Sequence, residues 1–521
     1  MNSNQLIPGA VALTLSAAIY LWRRSQHSVP LPPGPKGNPI FGSLLDGRYK
    51  IARSDAYWLK FAEYTDQYGP LVSVRMLHER IFLVSDPELI SELFEKRAAN
   101  YSDRDISEMG KLIGWDQEII FLNYGPLLKR FRTMLHRALN NRVSLDYVAL
   151  QRYETTRLMR RLVDQPDGFM GHIHLMAASI AIRIAYGYKV DSAEDPFVIS
   201  AEESMAAFSD VSAPGRWVVN ALPILRHVPS WVPFATFKRR AEQVRLIDEA
   251  AQNEPFEYVL KQMAEGTAED SFTSKLLQSE DGQPVDDETK KLVKNIAGSL
   301  YGAGSDTTVS GVQSFFLAMT LYPEVQKKAQ AEIMAYMRQR STSDALSRMI
   351  LPADRPNLPY TSALVREVLR WHPIVAVVPH RSSSQDDCNV VSRGKVYRIP
   401  AKSVVMAHVW RIMHDPEMYP EPERFNPERY LVDNPPPEPE NYAFGFGRRA
   451  CPGIHIAQQS MWMSISNILA NFTINKARDE HGKEITPEEK YFAGVISHPM
   501  PFKCSILPRK GCEEWLQELD E

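Results

Sequence analysis

The sequence predicts a mainly α protein with small β-sheets, set behind a single N-terminal transmembrane helix. Three observations predict it. Residues 6–22 are 17 consecutive uncharged residues, closed by Arg23 and Arg24. Helical periodicity dominates from about residue 84 to 380. Within that stretch a proline-free run follows Asp286-Asp287-Glu288 and stops only at Pro323, which makes it the longest helical candidate.

As a helix the N-terminal run spans about 25 Å, close to the ~27 Å of an endoplasmic-reticulum bilayer. Tyr20 and Trp22 sit where an interfacial aromatic belt belongs. A cleaved signal peptide fits less well. Residues 1–5 carry no Lys or Arg, and the run exceeds the usual ~7–15 residues. Residues 1–26 are therefore expected to be an uncleaved anchor. Arg23, Arg24 and Lys36 follow the span and no Lys or Arg precedes it, so the positive-inside rule puts residues 23–521 in the cytosol. Residues 30–39 hold five prolines and two glycines. Proline fixes φ and lacks an N–H, so residues 27–50 read as a stiff, non-helical hinge before one main domain, 51–521.

In the main body, short β-like runs occur near residues 71–76, 80–84 and 404–408, and no 20–50-residue period suggests a solenoid. The long run after Asp286 resembles a second span, with Asp306 its only charge between Asn295 and Tyr322. Asn295, Ser299, Ser305, Thr307, Thr308 and Gln313 make it too polar for lipid, so a helix buried through the protein centre is expected. Residues 434–439, with four prolines, read as a surface loop.

Composition narrows the function. The chain has 60 Lys+Arg against 63 Asp+Glu, a net charge of -3, which argues against bulk binding to nucleic acid. Hydrophobic residues at 44% and charged residues at 24% exclude a disordered chain. Cys388, Cys451, Cys504 and Cys512 are too few in 521 residues for a disulfide framework, which points to a reducing compartment.

One cysteine stands out. Phe444-Gly-Phe-Gly-Arg-Arg-Ala-Cys-Pro-Gly453 fits Phe-x-x-Gly-x-Arg-x-Cys-x-Gly, a match expected by chance in roughly one such chain in ten thousand. Pro452 suits a first helical residue, and an apolar, proline-free run follows from Ile454 to Ala470. Cys451 then sits at a helix N-terminus, where the dipole favours a thiolate. Gly447 and Gly453 permit close approach to a flat cofactor, and Arg449 offers a bidentate fork for a carboxylate. The loop is similar to the haem-ligand loop of the cytochrome P-450 superfamily. Cys388, Cys504 and Cys512 lack such a context and read as structural or incidental.

Other segments carry the same resemblance. Glu367-Val-Leu-Arg370 resembles the family's Glu-x-x-Arg pair, and Pro422-Glu-Arg-Phe425 its downstream partner. The resemblance implies a buried triad of Glu367, Arg370 and Arg424 behind the haem, shaping the fold rather than doing chemistry. Ala303-Gly-Ser-Asp-Thr-Thr308 resembles the oxygen-binding groove, in which Asp306 and Thr307 relay protons. An acid and a hydroxyl in an apolar helix are costly unless they are used. His380, in Pro379-His-Arg381, stands where the family contacts a haem propionate, whereas His372 reads as structural. Residues 128–132 resemble the Trp-Arg-x-x-Arg propionate clamp with departures. Leu128 stands for Trp, Lys129 for the first Arg, and Arg132 keeps the second.

The resemblance spans the chain in order and is closest to membrane-anchored mushroom members of secondary-metabolite pathways. It implies haem b with Cys451 as the axial ligand to iron, and Arg449, His380, Arg132, Lys129, Phe444, Gly453 and Ala303 around the cofactor. It implies a monooxygenase that inserts one atom of O2 into a lipophilic small molecule, a terpenoid or aromatic intermediate. No flavin or nicotinamide fingerprint is present. Electrons from NADPH must then come through a separate NADPH–cytochrome reductase on the same endoplasmic-reticulum membrane, with cytochrome b5 as an optional second donor. The rival readings are a haem-thiolate isomerase or dehydratase needing no external electrons, which typically lacks the groove threonine, and a non-enzymatic membrane haem protein. The expected pocket segments are residues 101–122, about 200–235, 299–304 and 374–378, with Phe121, Phe208 and Trp217. The sequons at Asn100 and Asn471 are expected to be silent in a cytosolic domain.

Overall fold

A computed structural model describes residues 29–38, 56–76, 79–212, 216–278, 285–340 and 348–518. The expected anchor, residues 1–26, lies outside the described residues, and of the hinge only 29–38 falls within them. That piece is extended and helix-free, as its prolines require. It lies on the first strand: Ser73 N–H donates to the Pro33 carbonyl at 2.8 Å, and a Cβ on Gly34 would lie 1.9 Å from the Ser73 carbonyl oxygen.

The elements used below are α1 (Tyr57–Tyr68), β1 (Leu71–Met76), β2 (Glu79–Val84), α2 (Pro126–Leu139), α3 (Val148–Asp164), α4 (Phe169–Tyr186), α5 (Pro196–Ser212), α6 (Thr236–Glu265), α7 (Asp287–Leu321), α8 (Pro323–Arg340) and α9 (Pro359–Trp371). Strands β3 (Val378–Arg381), β4 (Asp387–Ser392), β5 (Lys395–Ile399) and β6 (Val404–Ala407) follow. Helix α10 (Ile454–Asn471) and strands β7 (Phe472–Arg478), β8 (Glu484–Ile485) and β9 (Cys504–Pro508) close the chain. The architecture is mainly helical with three small sheets. The largest has the order β1-β2-β6-β3, with β2 and β6 parallel (Ile81 opposite Val404) and the other pairs antiparallel.

Helix α7 is the axis of the fold. Asp286 caps it, its carboxylate accepting from Thr289 N–H at 2.8 Å, and Pro323 opens the next helix. Its C-terminal half, Thr308 to Thr320, is buried on every side, so it tolerates almost no charge. It packs most extensively against α4. Gly304 allows this, since a Cβ there would come within 2.9 Å of Ala181. Among the described residues Pro166–Tyr186 alone is long and apolar enough to cross a membrane, but most of it is buried in the protein. It is a core helix, apolar because it faces α7. The three strand-like runs of the sequence form β1, β2 and β6, while the hairpin β4–β5 and the sheet β8-β7-β9 were not anticipated. Of residues 434–439, read as a surface loop, 434–438 are largely exposed, while Pro439 is buried.

Candidate functional site

The loop before α10 is wound tightly. Gly445 and Gly447 have φ of 72° and 51°, and a Cβ on Gly447 would lie 2.1 Å from the Phe94 carbonyl oxygen. Cys451 N–H donates to the Phe444 carbonyl at 2.7 Å and folds the loop back on itself. The thiol thereby faces a cavity of about 460 Å³ deep in the protein. Helix α10 begins at Ile454 with Gly453 as its cap, so Pro452 lies in the turn before the helix rather than at its first position. Burial pushes the Cys451 thiol up, opposed by the Gly453 N–H and by Arg132.

Three guanidinium groups line the same cavity: Arg104, Arg132 and Arg449. Arg132 donates to the Ala450 carbonyl at 2.8 Å. Arg449 spreads over backbone carbonyls, Ser102 at 2.7 Å, Ile119 at 3.3 Å and Leu122. Arg104 Nη1 is buried with no partner among the described residues, and burial reinforced by Arg449 pushes this guanidinium down to about 9. His380 Nδ1–H donates to the Tyr101 carbonyl at 2.7 Å and the ring stacks on Phe94, while its buried Nε2 has no partner among the described residues. Burial, then Arg104, holds it well below the usual imidazole range. Clustered cations and the orphaned Arg104 donor call for anionic oxygens. A flat cofactor bearing two carboxylates fits that need, with its metal toward Cys451.

The sequence reading placed Lys129 and Phe444 beside the cofactor. Lys129 is instead on the exposed face of α2, its ammonium 5.2 Å from the Tyr124 ring centroid, and does not line the cavity. Helical geometry explains this, because Leu128 is the clamp residue turned inward. Phe444 contributes its carbonyl to Cys451 and packs its half-buried ring on the main core. Arg104 escaped sequence reasoning because nothing in Tyr101-Ser-Asp-Arg-Asp105 marks it.

Across the cavity runs α7. Ala303 and Thr307 line it, and Thr307 Oγ1 donates to the Ala303 carbonyl, one turn back, at 2.8 Å. Asp306 does not line it. Its carboxylate is directed at His498, with Oδ1 3.0 Å from Nε2, and both side chains are partly exposed. His498 was not foreseen, since a lone histidine in a loop carries no local signal.

The buried ion triad needs a correction. Glu367 and Arg370 are fully buried and pair through two hydrogen bonds, 2.8 and 2.9 Å. The third member is Arg429, whose Nε lies 3.1 Å from Glu367 Oε1, and not Arg424. The Arg424 side chain is 63% exposed and reaches only Glu421, while its carbonyl accepts from Arg429 and Arg370. Two similar strings stand in tandem, Pro422-Glu-Arg-Phe425 and Pro427-Glu-Arg-Tyr430, and the 3₁₀ turn of the second packs on α9. A buried carboxylate selects the arginine that the backbone carries inward.

The cavity wall is largely apolar, with Phe121, Met205, Phe208 and Leu300 as expected, and with Val495 and Ile496 from a loop not foreseen. Trp217 and residues 374–378 do not line it. His372 is structural, buried against Ser497 and stacked on Tyr491. Of the remaining cysteines, Cys504 and Cys512 are buried and Cys388 is exposed, all free.

The profile of the family Cytochrome P450 matches residues 32–506. The chain is similar to the Cytochrome P450 monooxygenase claR of Ampulloclitocybe clavipes, 36% identical over 98% of this chain and 91% of that one. It is also similar to Cytochrome P450 monooxygenase 208 of Postia placenta, 37% identical over 98% and 96%. Among solved structures it resembles a zebra fish cytochrome P450 with abiraterone, TM-score 0.66 and 21% identity, over 87% of this chain and 99% of that one. At that identity the likeness concerns the fold.

Proposed function

Because this chain belongs to the cytochrome P450 family and is a haem-thiolate monooxygenase by that membership, we propose that Cys451 supplies the thiolate and α7 the proton path of its reaction. The observation that carries the reading is that Cys451 and Thr307, brought from α10 and α7, face one apolar cavity. Haem, held by the Cys451 thiolate, supplies the redox chemistry that activates O2. Electrons come from a redox partner and the substrate is lipophilic. We assign the first role to an NADPH–cytochrome reductase, with cytochrome b5 as an optional second donor.

The protein residues divide the remaining work. Arg104, Arg132, Arg449 and His380 hold the anionic edge of the cofactor. Arg104 Nη1, unpartnered among the described residues, gains an acceptor there. Apolar walls exclude water, so protons must travel along side chains. His498 meets solvent, hands a proton to Asp306, and Thr307 holds one at Oγ1 inside the cavity. The groove threonine favours oxygenation over the electron-free isomerase reading.

Residues 1–26 anchor the chain in the endoplasmic-reticulum membrane and 27–50 form its hinge before the catalytic domain, 51–521. Exposed apolar side chains between α5 and α6, Ile224 (73%), Trp231 (80%) and Phe234 (69%), support a membrane-facing surface. We assign the enzyme to fungal secondary metabolism, a reading consistent with its similarity to monooxygenases of Ampulloclitocybe clavipes. One preparation tests both readings. Carbonate-washed membranes from cells making the full chain should keep the enzyme. With reductase and NADPH they should place one atom of labelled O2 in an accepted lipophile. Activity released into the carbonate supernatant contradicts the anchor, and unlabelled product contradicts oxygenation.

A further inference from the structure

The cavity wall is not apolar throughout. Glu118, just past the 3₁₀ turn Trp115–Gln117, lines it and is only partly buried. Its Oε1 accepts from Gln252 Nε2 on α6, and its Oε2 from Ser299 Oγ on α7, both at 2.8 Å. Asp248, one turn before Gln252, accepts from Trp115 Nε1 and from Ser204 Oγ on α5, both at 2.6 Å. Gly298 makes this arrangement fit: a Cβ there would lie 2.7 Å from Gln252 Cγ, so the amide could not lie against α7 and reach Glu118.

No cationic side chain pairs with Glu118 or Asp248 among the described residues, and the neighbouring charge that acts on Glu118 is Asp248, of the same sign. Burial pushes both carboxyls up. Each Glu118 oxygen has one neutral donor and keeps further lone pairs. A carboxylate serving only to latch the loop to α6 and α7 would be sealed from the cavity, and this one is not.

Resting on the monooxygenase reading of this cavity, we propose that Glu118 is the substrate's polar anchor. It accepts a hydrogen bond from a single donor group, hydroxyl or ammonium, on an otherwise apolar molecule. The oxidised carbon then lies away from that group, toward Cys451. A bare hydrocarbon would leave Glu118 without a further partner in a dry cavity, which disfavours it.

The test is equilibrium dialysis of the haem-loaded full chain in detergent against three matched probes: decalin, decahydro-2-naphthol and 2-(dimethylamino)decalin. Binding is read without turnover, so failure of the anchor and failure of the oxygenase reading are separate results. The wild type should bind at least one donor probe ~10-fold or more tighter than decalin. Glu118→Leu should abolish that preference and leave decalin binding as it was, which also reports an intact cavity. Glu118→Gln distinguishes the donors, keeping an alcohol preference and losing an ammonium preference. Equal binding of all three probes by the wild type overturns the proposal. So does a preference that survives Glu118→Leu, or a Leu variant that weakens all three alike, the mark of a latch.

Discussion

Thr307→Ala is expected to lower the product formed per NADPH consumed by at least ~10-fold while leaving haem binding intact. The hydroxyl stands on the cavity wall of α7, bonded back to the Ala303 carbonyl at 2.8 Å, and lines the same cavity as Cys451. General-acid groups of this kind typically contribute ~10²–10⁴-fold, part of which water can replace. Electrons would still arrive and NADPH would still be used, leaving as hydrogen peroxide. Asp306→Asn should cost less, because Asp306 lies off the cavity wall against His498, and solvent can bypass an outer step. Measured product-to-NADPH ratios check this. An unchanged ratio in Thr307→Ala removes the proton role and revives the electron-free isomerase.

The largest effect on the fold is expected at Glu367. Removing its carboxylate leaves Arg370, fully buried, and Arg429, nearly so, without their counter-charge. Breaking a buried pair costs about 3–5 kcal/mol, against a total stability of about 5–15 kcal/mol. Glu367→Ala should therefore yield little folded, haem-loaded protein. Arg429→Ala should lose most of the same stability, since its guanidinium also holds the Pro420 and Arg424 carbonyls at 2.8 and 3.1 Å. Arg424→Ala should fall within about 0.5 kcal/mol of wild type, because only its carbonyl takes part. Thermal midpoints of the three variants decide between Arg429 and Arg424 as the third member.

That contrast also marks how far sequence carries. The Cys451 loop, the cap at Asp286 and the stop at Pro323 were legible, because each is a local rule written in adjacent residues. The triad's third arginine was not: two near-identical tripeptides lie five residues apart, and only packing on α9 selects one. His498 and Glu118 meet their partners across 134 or more residues, so no window of sequence contains the contact, and nothing beside Arg104 in the chain marks it. The strands β4, β5 and β9 are short and carry mixed polarity at sheet edges, where pairing is a tertiary choice. Lys129 was misplaced by treating the clamp as a string instead of a helix with an inner and an outer face.

The central claim is that the sulfur of Cys451 is the group the protein offers to haem iron. The most direct measurement is the absorption spectrum of the reduced, CO-treated protein, wild type beside Cys451→Ser. A thiolate pushes electron density onto the iron, and a serine hydroxyl at that place does not. The wild type should show the red-shifted band characteristic of thiolate ligation, and Cys451→Ser should lack it. The same band in the serine variant would contradict the assignment.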